Sequence, residues 1–341
     1  MSADDSSAEK EGKSWVKGLA IFAAILIVVI FALGWYWSIE PKVFNVSEAA
    51  MKRAQAVDKT RTSVPIGYTY ANALAHIAEV LLYKTGGYIT NDVVPPGILV
   101  DDITSFEYGA LVMLRDATSA LRNHLARAQS QSAEDPDLAK AEPYFYYEND
   151  SWALPSTEAE YKKGVTALHS YMTRLIKHDK KTPAHFYARA DNLWQYIEIV
   201  IKRLGGLSTR LNANTSRYVS MMSINVVDQE KSTQKESAVG RTAWLDIDNV
   251  FWEARGAAWA LLHILKAVKR DFGAILLDKR AMDTVDIMIR EMENALEPVL
   301  SPVILNGDGF GVFANYSLAM ANYISRANAA ALDLRDVMNR G

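Results

Sequence analysis

The longest apolar run covers residues 18–39, uncharged between Lys17 and Glu40 and made mostly of Ala, Ile, Leu, Val and Phe. Its length is close to the ~20 residues that carry a helix across a bilayer. It ends in Gly34, Trp35, Tyr36 and Trp37, an aromatic cluster of the kind that sits at a membrane interface. A secretory signal has a shorter apolar core, about 7–15 residues, followed by a small-residue cleavage site. The pattern therefore predicts an uncleaved transmembrane helix over 18–39, with Trp15, Lys17, Trp35, Tyr36 and Trp37 at its interfaces. Lys10, Lys13 and Lys17 precede the run and Lys42, Lys52 and Arg53 follow it, so a count of cations ties. Lys17 lies directly at the edge, and long C-terminal domains translocate largely regardless of charge. The expected topology is a cytoplasmic tail over 1–17 and a periplasmic domain over 40–341.

Beyond residue 40 the apolar positions recur at helical spacing. Phe106, Ala110, Met113, Leu114, Ala117, Leu121 and Leu125 fall three or four apart on one stripe, which predicts an amphipathic helix. Residues 47–58 predict a short helix. A longer one spans "VPIGYTYANALAHIAEVLLYKTGG", opened by Pro65 and stopped by Gly86 and Gly87. "YITNDVVPPGILVDD" reads as a connector, because Pro95, Pro96 and Gly97 each interrupt a helix. Thr157 and Glu160 have capping-box spacing, and Thr182 with Pro183 predicts the start of the helix that runs through "ARADNLWQYIEIVIKRLGGLSTRL". Asp246 or Asp248 is placed to cap "NVFWEARGAAWALLHILKAVKRDF", and two more helices follow it. The fold class is all-α: a transmembrane helix, then a large helical bundle with irregular connectors and a candidate subdomain boundary near 215–240.

One connector is unusual. Residues 130–156 are polar and broken by Pro136, Pro143 and Pro155, yet carry Tyr144, Phe145, Tyr146, Tyr147 and Trp152. Flexible linkers are poor in large apolar groups, so this excursion is expected to be ordered, with its aromatics packed down.

Composition narrows the function. Half of the residues are apolar and 23% are charged, which is ordinary for a globular chain. The net charge of −3 leaves no basic field for nucleic acid. Without cysteine the chain has no disulfide, thiolate ligand or cysteine nucleophile.

The candidate motifs have plain readings. "NGDGFG" at 306–311 lacks dinucleotide spacing and the closing Glu of a calcium loop. Asn306, Gly307, Asp308 and Gly309 are expected to form a turn before the last helix, where backbone amides could hold an anion. His76 and Glu79 are three apart, in the reverse order of a dimetal arm. The other histidines, 124, 169, 178, 185 and 263, show no paired metal spacing. Trp252, Gly256, Trp259 and His263 share one helix stripe, expected as core, with a groove floor as the functional alternative. Asp101 with Asp102, and Asp246 with Asp248, are paired carboxylates that read first as helix caps.

"NDVVPPGILVDD", "SQSAEDPDLAKAEPYFYYENDSWALPS", "FYARADNL" and "NGDGFGVFANYSLAMANYISRANAA" resemble segments of an uncharacterised family of single-pass inner-membrane proteins of Gram-negative bacteria. That resemblance spans nearly the whole chain and brings no activity, cofactor, partner or catalytic residue with it. The combined expectation is a membrane-anchored periplasmic interaction or scaffold protein. Its partners are the bilayer, through 18–39, and an envelope protein; no metal or cofactor is expected. Its candidate docking surface joins Asp92, Pro95, Pro96 and Gly97 to Tyr144, Tyr146 and Trp152. The alternative is a binder or hydrolase of envelope lipid, glycan or peptide that uses the paired carboxylates.

Overall fold

A computed structural model describes residues 4–128, 133–177, 181–213, 246–299, 301, 303–307 and 314–339. Among them there are eleven α-helices and no strand. They are α1 (Asp4–Trp37), α2 (Val46–Val57), α3 (Tyr68–Tyr83), α4 (Asp101–Ala120), α5 (Leu138–Phe145), α6 (Thr157–Lys177), α7 (Ala190–Ala213), α8 (Ile247–Asp271), α9 (Gly273–Asp278), α10 (Met282–Ala295) and α11 (Tyr316–Asn339). A 3-10 turn at Gly97–Leu99 leads into α4, and a π-turn at Leu121–Leu125 extends it.

Helix α8 is the centre of the domain. It is buried on all sides from Ala257 to Leu265, so it shows no polar stripe there, and α3, α4 and α10 pack around it. Small residues let them close in. At the α4–α8 crossing, a Cβ on Gly109 would lie 1.9 Å from the Glu253 carbonyl oxygen, and a Cβ on Gly256 would lie 1.9 Å from that of Phe106. Two glycines thus let two helix backbones touch, and what covers Gly256 is the chain's own α4. Trp259 and His263 are core, as the stripe suggested. Helix α11 packs on α7 and α10, and α6 packs on α3 and α5. Buried side chains from α2 to α11 form one cluster; the expected boundary near 215–240 lies outside the described residues.

Several helix starts differ from the local signals. Gly67, with φ +85°, separates Pro65 from α3, and Phe186 fills the space a Cβ would need, so α3 begins only at Tyr68. The stretch from Thr182 to Arg189 is irregular rather than helical. Tyr187 N–H donates to the Leu125 carbonyl at 2.7 Å, Tyr171 Oη donates to the His185 carbonyl, and Phe186 packs against Tyr70 and Phe272. Packing of that half-buried phenylalanine against the core, with the Tyr187 and Tyr171 hydrogen bonds, overrides the Thr-Pro start signal. Thr157 is no cap either: its buried hydroxyl donates to the Glu148 and Ser151 carbonyls, and Ser156 accepts from the Ala159 N–H instead. Part of the aromatic excursion is itself helix, since α5 contains Pro143.

Candidate functional site

The feature that orders the rest is the junction between α1 and the domain. From Lys17 to Trp37 the helix is long and apolar enough to cross a membrane, and only 6% of its most apolar window is buried. The buried position is Gly34, whose Cβ would stand 3.3 Å from Val100 and 3.5 Å from Pro96. Trp15, Trp35 and Tyr36 are exposed, as is Lys17. Trp37 folds onto the turn at Gly86, where φ is +83° and a side chain would collide with its indole.

Just past the helix, Glu40 accepts two hydrogen bonds from Arg255 of α8, both at 2.6 Å. Trp259 Nε1 donates to the Lys42 carbonyl at 3.3 Å. Phe44 then stacks on the His263 ring at 3.8 Å and meets His76 edge-on at 4.3 Å. The Phe44 N–H donates to His263 Nε2, so the ring proton sits on Nδ1 and donates to the Trp259 carbonyl. Burial pushes this histidine down to about 3, leaving it neutral. The chain between helix and domain is therefore a bonded seat rather than a free linker.

The two halves of the expected docking surface lie side by side. Asn91 Nδ2 donates to the Ser151 carbonyl and to Glu158, both at 2.9 Å, tying the 90s connector to the aromatic excursion. On the excursion, Tyr146 and Trp152 are 49% and 63% exposed, whereas Tyr144 is half-buried beneath Lys163. Phe145 is buried against Gly164, and Arg115 holds the Phe145 and Tyr147 carbonyls at 2.7 Å, so the excursion is ordered over its described residues, 133–156. On the connector, Pro95 is exposed, Pro96 and Gly97 are buried, and Asp92 closes over Gly97. Those last three shape the turn from beneath. An ion pair of Lys84 with Glu107 at 2.8 Å supports it, with Glu107 also accepting the Ile89 and Thr90 amides.

The paired carboxylates converge. Asp101 and Asp102 fill the first turn of α4, and Asp248 that of α8. Burial, then Asp248 and Asp101, push the Asp102 carboxyl up to about 6, and its Oδ1 has no hydrogen-bond partner. Asp246 stands at the cap position of α8 without making a side-chain cap bond and lines a neighbouring cleft of about 350 Å³ with Ser105, Asn249 and Glu253.

Glu79 is taken by Arg53, His76 and His169 together. Their hydrogen bonds outweigh burial and hold its carboxyl well below the usual range. Among the described residues no set of three His, Asp or Glu side chains is arranged to hold a metal; His178 lies outside them. At the start of α11, Asn306 Oδ1 accepts the Ser317 N–H and Asn315 Oδ1 accepts that of Leu318. The amides expected to receive an anion are capped by the chain's own side chains, and Gly307 N–H bonds the Ala314 carbonyl. Asp308 and Gly309 lie outside the described residues.

Sequence reasoning missed the Glu40–Arg255 seat. Its signal was a lone arginine inside "FWEARGAAWALL" and an acid directly after the apolar run. Fold and site together define a helical domain seated on a single N-terminal apolar helix of membrane-spanning length. The chain belongs to a bacterial family described as "Uncharacterized protein conserved in bacteria (DUF2333)", which it matches over residues 8–341. No curated protein and no solved structure matches it.

Proposed function

We propose that this is an interaction or scaffold protein of the bacterial cell envelope, anchored in the inner membrane by 18–39, with residues 1–17 in the cytoplasm and 40–341 in the periplasm. The observation that carries this reading is the bonded seat at Glu40, Lys42 and Phe44. A tether would let a soluble activity diffuse; a fixed seat holds the domain at one height and one orientation above the bilayer, which suits presenting a face to another envelope protein. Tyr146 and Trp152 form the centre of that face, since exposed aromatics are the residue types enriched in binding hot spots. The test joins two experiments. A C-terminal phosphatase fusion should be active only if the domain is periplasmic. A photo-crosslinking residue at position 146 or 152 should yield a discrete adduct with one envelope protein, while the same residue at exposed Lys59 should not. An active cytoplasmic reporter at the C-terminus would refute the topology, and identical adducts at all three positions would refute the face.

One observation favours a second reading, a ligand binder or hydrolase: Asp102 and Asp248 share a site in which one carboxyl titrates near 6. Loss of the cellular phenotype in Asp102→Asn and Asp248→Asn, with Tyr146→Ala and Trp152→Ala unaffected, would transfer the function to that site.

A further inference from the structure

We propose that residues 93–99 form a second membrane contact, an uncharged lip lying at the headgroup–acyl boundary of the leaflet on the domain's side, next to α1. The proposal rests on reading α1 as an anchor and adds to it a lipid surface that the domain itself touches.

The level of the loop comes from its contact with the helix. The 21 residues from Lys17 to Trp37 rise ~30 Å at 1.5 Å each, the thickness of a bilayer hydrocarbon core. Gly34 lies three positions inside the Trp37 end, ~4–5 Å into that core. Pro96 and Val100 pack on Gly34, so the loop beside them lies at the same depth. Trp35 and Tyr36, exposed on the same turn, mark the interface that aromatic belts occupy.

The chemistry of the loop matches that level. Val93, Val94, Ile98 and Leu99 are 50%, 63%, 61% and 59% exposed, and no charge falls among residues 93–99. Four neighbouring exposed aliphatics beside a membrane helix form the contiguous apolar patch that soluble surfaces avoid. The backbone is equally suited. Pro95 and Pro96 carry no N–H, Ile98 N–H bonds the Val94 carbonyl, and Leu99 N–H bonds that of Pro96. Four of the seven backbone positions thus present no free N–H, which lowers the cost of seating irregular backbone at the headgroup–acyl boundary. The loop is also held in shape: Asp92 closes on Gly97, where a Cβ would lie 2.2 Å from its carboxylate, and Asn91 bonds the adjoining excursion. The anchor thus has a companion contact that fixes rotation of the domain about the α1 axis, leaving Tyr146 and Trp152 for a protein partner.

The chain has no cysteine, so a single environment-sensitive fluorophore can be placed on the full-length protein at Val94→Cys or Ile98→Cys. The variants are reconstituted in phosphatidylethanolamine–phosphatidylglycerol vesicles carrying spin-label quenchers on shallow or deep acyl carbons. Trp35→Cys, Leu26→Cys and Lys59→Cys serve as references, and circular dichroism checks that each variant keeps its helicity. The expected result is blue-shifted emission at 94 and 98 that loses most of its intensity to the shallow quencher, with the shallow-to-deep ratio found at 35. Leu26 should respond more to the deep quencher and Lys59 to neither. Quenching at 26 and 35 with water-like, unquenched emission at 94 and 98 overturns the lip while keeping the anchor, and leaves the loop free for a protein partner. No quenching at 26 overturns the anchor and the lip with it.

Discussion

Glu40 and Arg255 form a two-pronged pair, both contacts at 2.6 Å, in which the guanidinium is only 2% exposed. The remaining N–H groups of Arg255 reach the carbonyls of Ala295, Leu296 and Glu297, the unpaired oxygens at the end of α10. A cation there is favoured by the helix dipole, and five donors in a planar fork suit one acid and three carbonyls. One side chain thereby joins the exit of α1, the centre of α8 and the end of α10.

Removing that guanidinium strands an acid and three carbonyl oxygens at once. Arg255→Met is expected to cost about 2–4 kcal/mol, measured by chemical denaturation in detergent; this is below the ~3–5 kcal/mol for breaking a fully buried pair from one side, because the Glu40 side chain is 33% exposed. Arg255→Lys should recover little of it, because an ammonium lacks the planar fork. Full recovery by lysine would show that charge alone, and not the shared carbonyls, sets the cost.

The α4–α8 crossing makes a steric prediction. Gly109→Ala or Gly256→Ala puts a methyl group 1.9 Å from a backbone oxygen, so the helices must separate. Overpacking of this kind costs at least about 1–3 kcal/mol. Gly206, with open space where a Cβ would go, is the control, and Gly206→Ala should be neutral or stabilising. Equal stability of all three alanine variants would disprove the close crossing.

Much of this was legible locally. The stripe Phe106, Ala110, Met113, Leu114 and Ala117 is buried along α4, because helical spacing alone decides which face a helix turns inward. The excursion's order was legible through its aromatics, of which Phe145 went fully inside, but Tyr146 and Trp152 stay exposed rather than packing down as expected. What escaped depends on distance along the chain. Glu40 and Arg255 are 215 positions apart, and Asp271 meets the Tyr70 N–H across 201; no local pattern pairs them. Thr182 and Pro183 carry a sound helix-start signal that a half-buried phenylalanine four residues on, packed on the core, overrode. "VVPPGIL" reads as a connector in isolation and becomes a candidate lip only where Pro96 rests on Gly34.

Lys84 and Glu107 predict how firmly that connector is held. Burial raises the Glu107 carboxyl, and Lys84 opposes the rise. In Lys84→Met the acid is stranded, takes up a proton and loses acceptor strength toward Ile89 and Thr90. Hydrogen exchange at those two amides should speed up while that in α10 stays unchanged. Unaltered exchange at Ile89 and Thr90 would mean the carboxylate does not hold the segment.

Two buried groups give the pH dependence opposite signs. His263 titrates near 3 in the folded protein against about 6.5 unfolded. Between those values the unfolded chain binds a proton the native one refuses, so this group's stabilisation is whole above pH ~6.5 and falls as pH drops toward 3. Asp271 runs the other way. Burial raises it to about 7, even though it accepts the Tyr70 N–H at 2.8 Å. Its contribution is whole below the unfolded value of about 3.9 and is lost as pH climbs through 7. Each slope is at most about 1.4 kcal/mol per pH unit. His263→Gln should therefore flatten the acid limb of a denaturation profile. Asp271→Asn keeps an oxygen for Tyr70 and should match the wild type near pH 4 and exceed its stability at pH 8. A wild-type advantage over Asp271→Asn at pH 8 would mean that the carboxylate caps α3 more strongly ionised than neutral, reversing the sign argued from its burial.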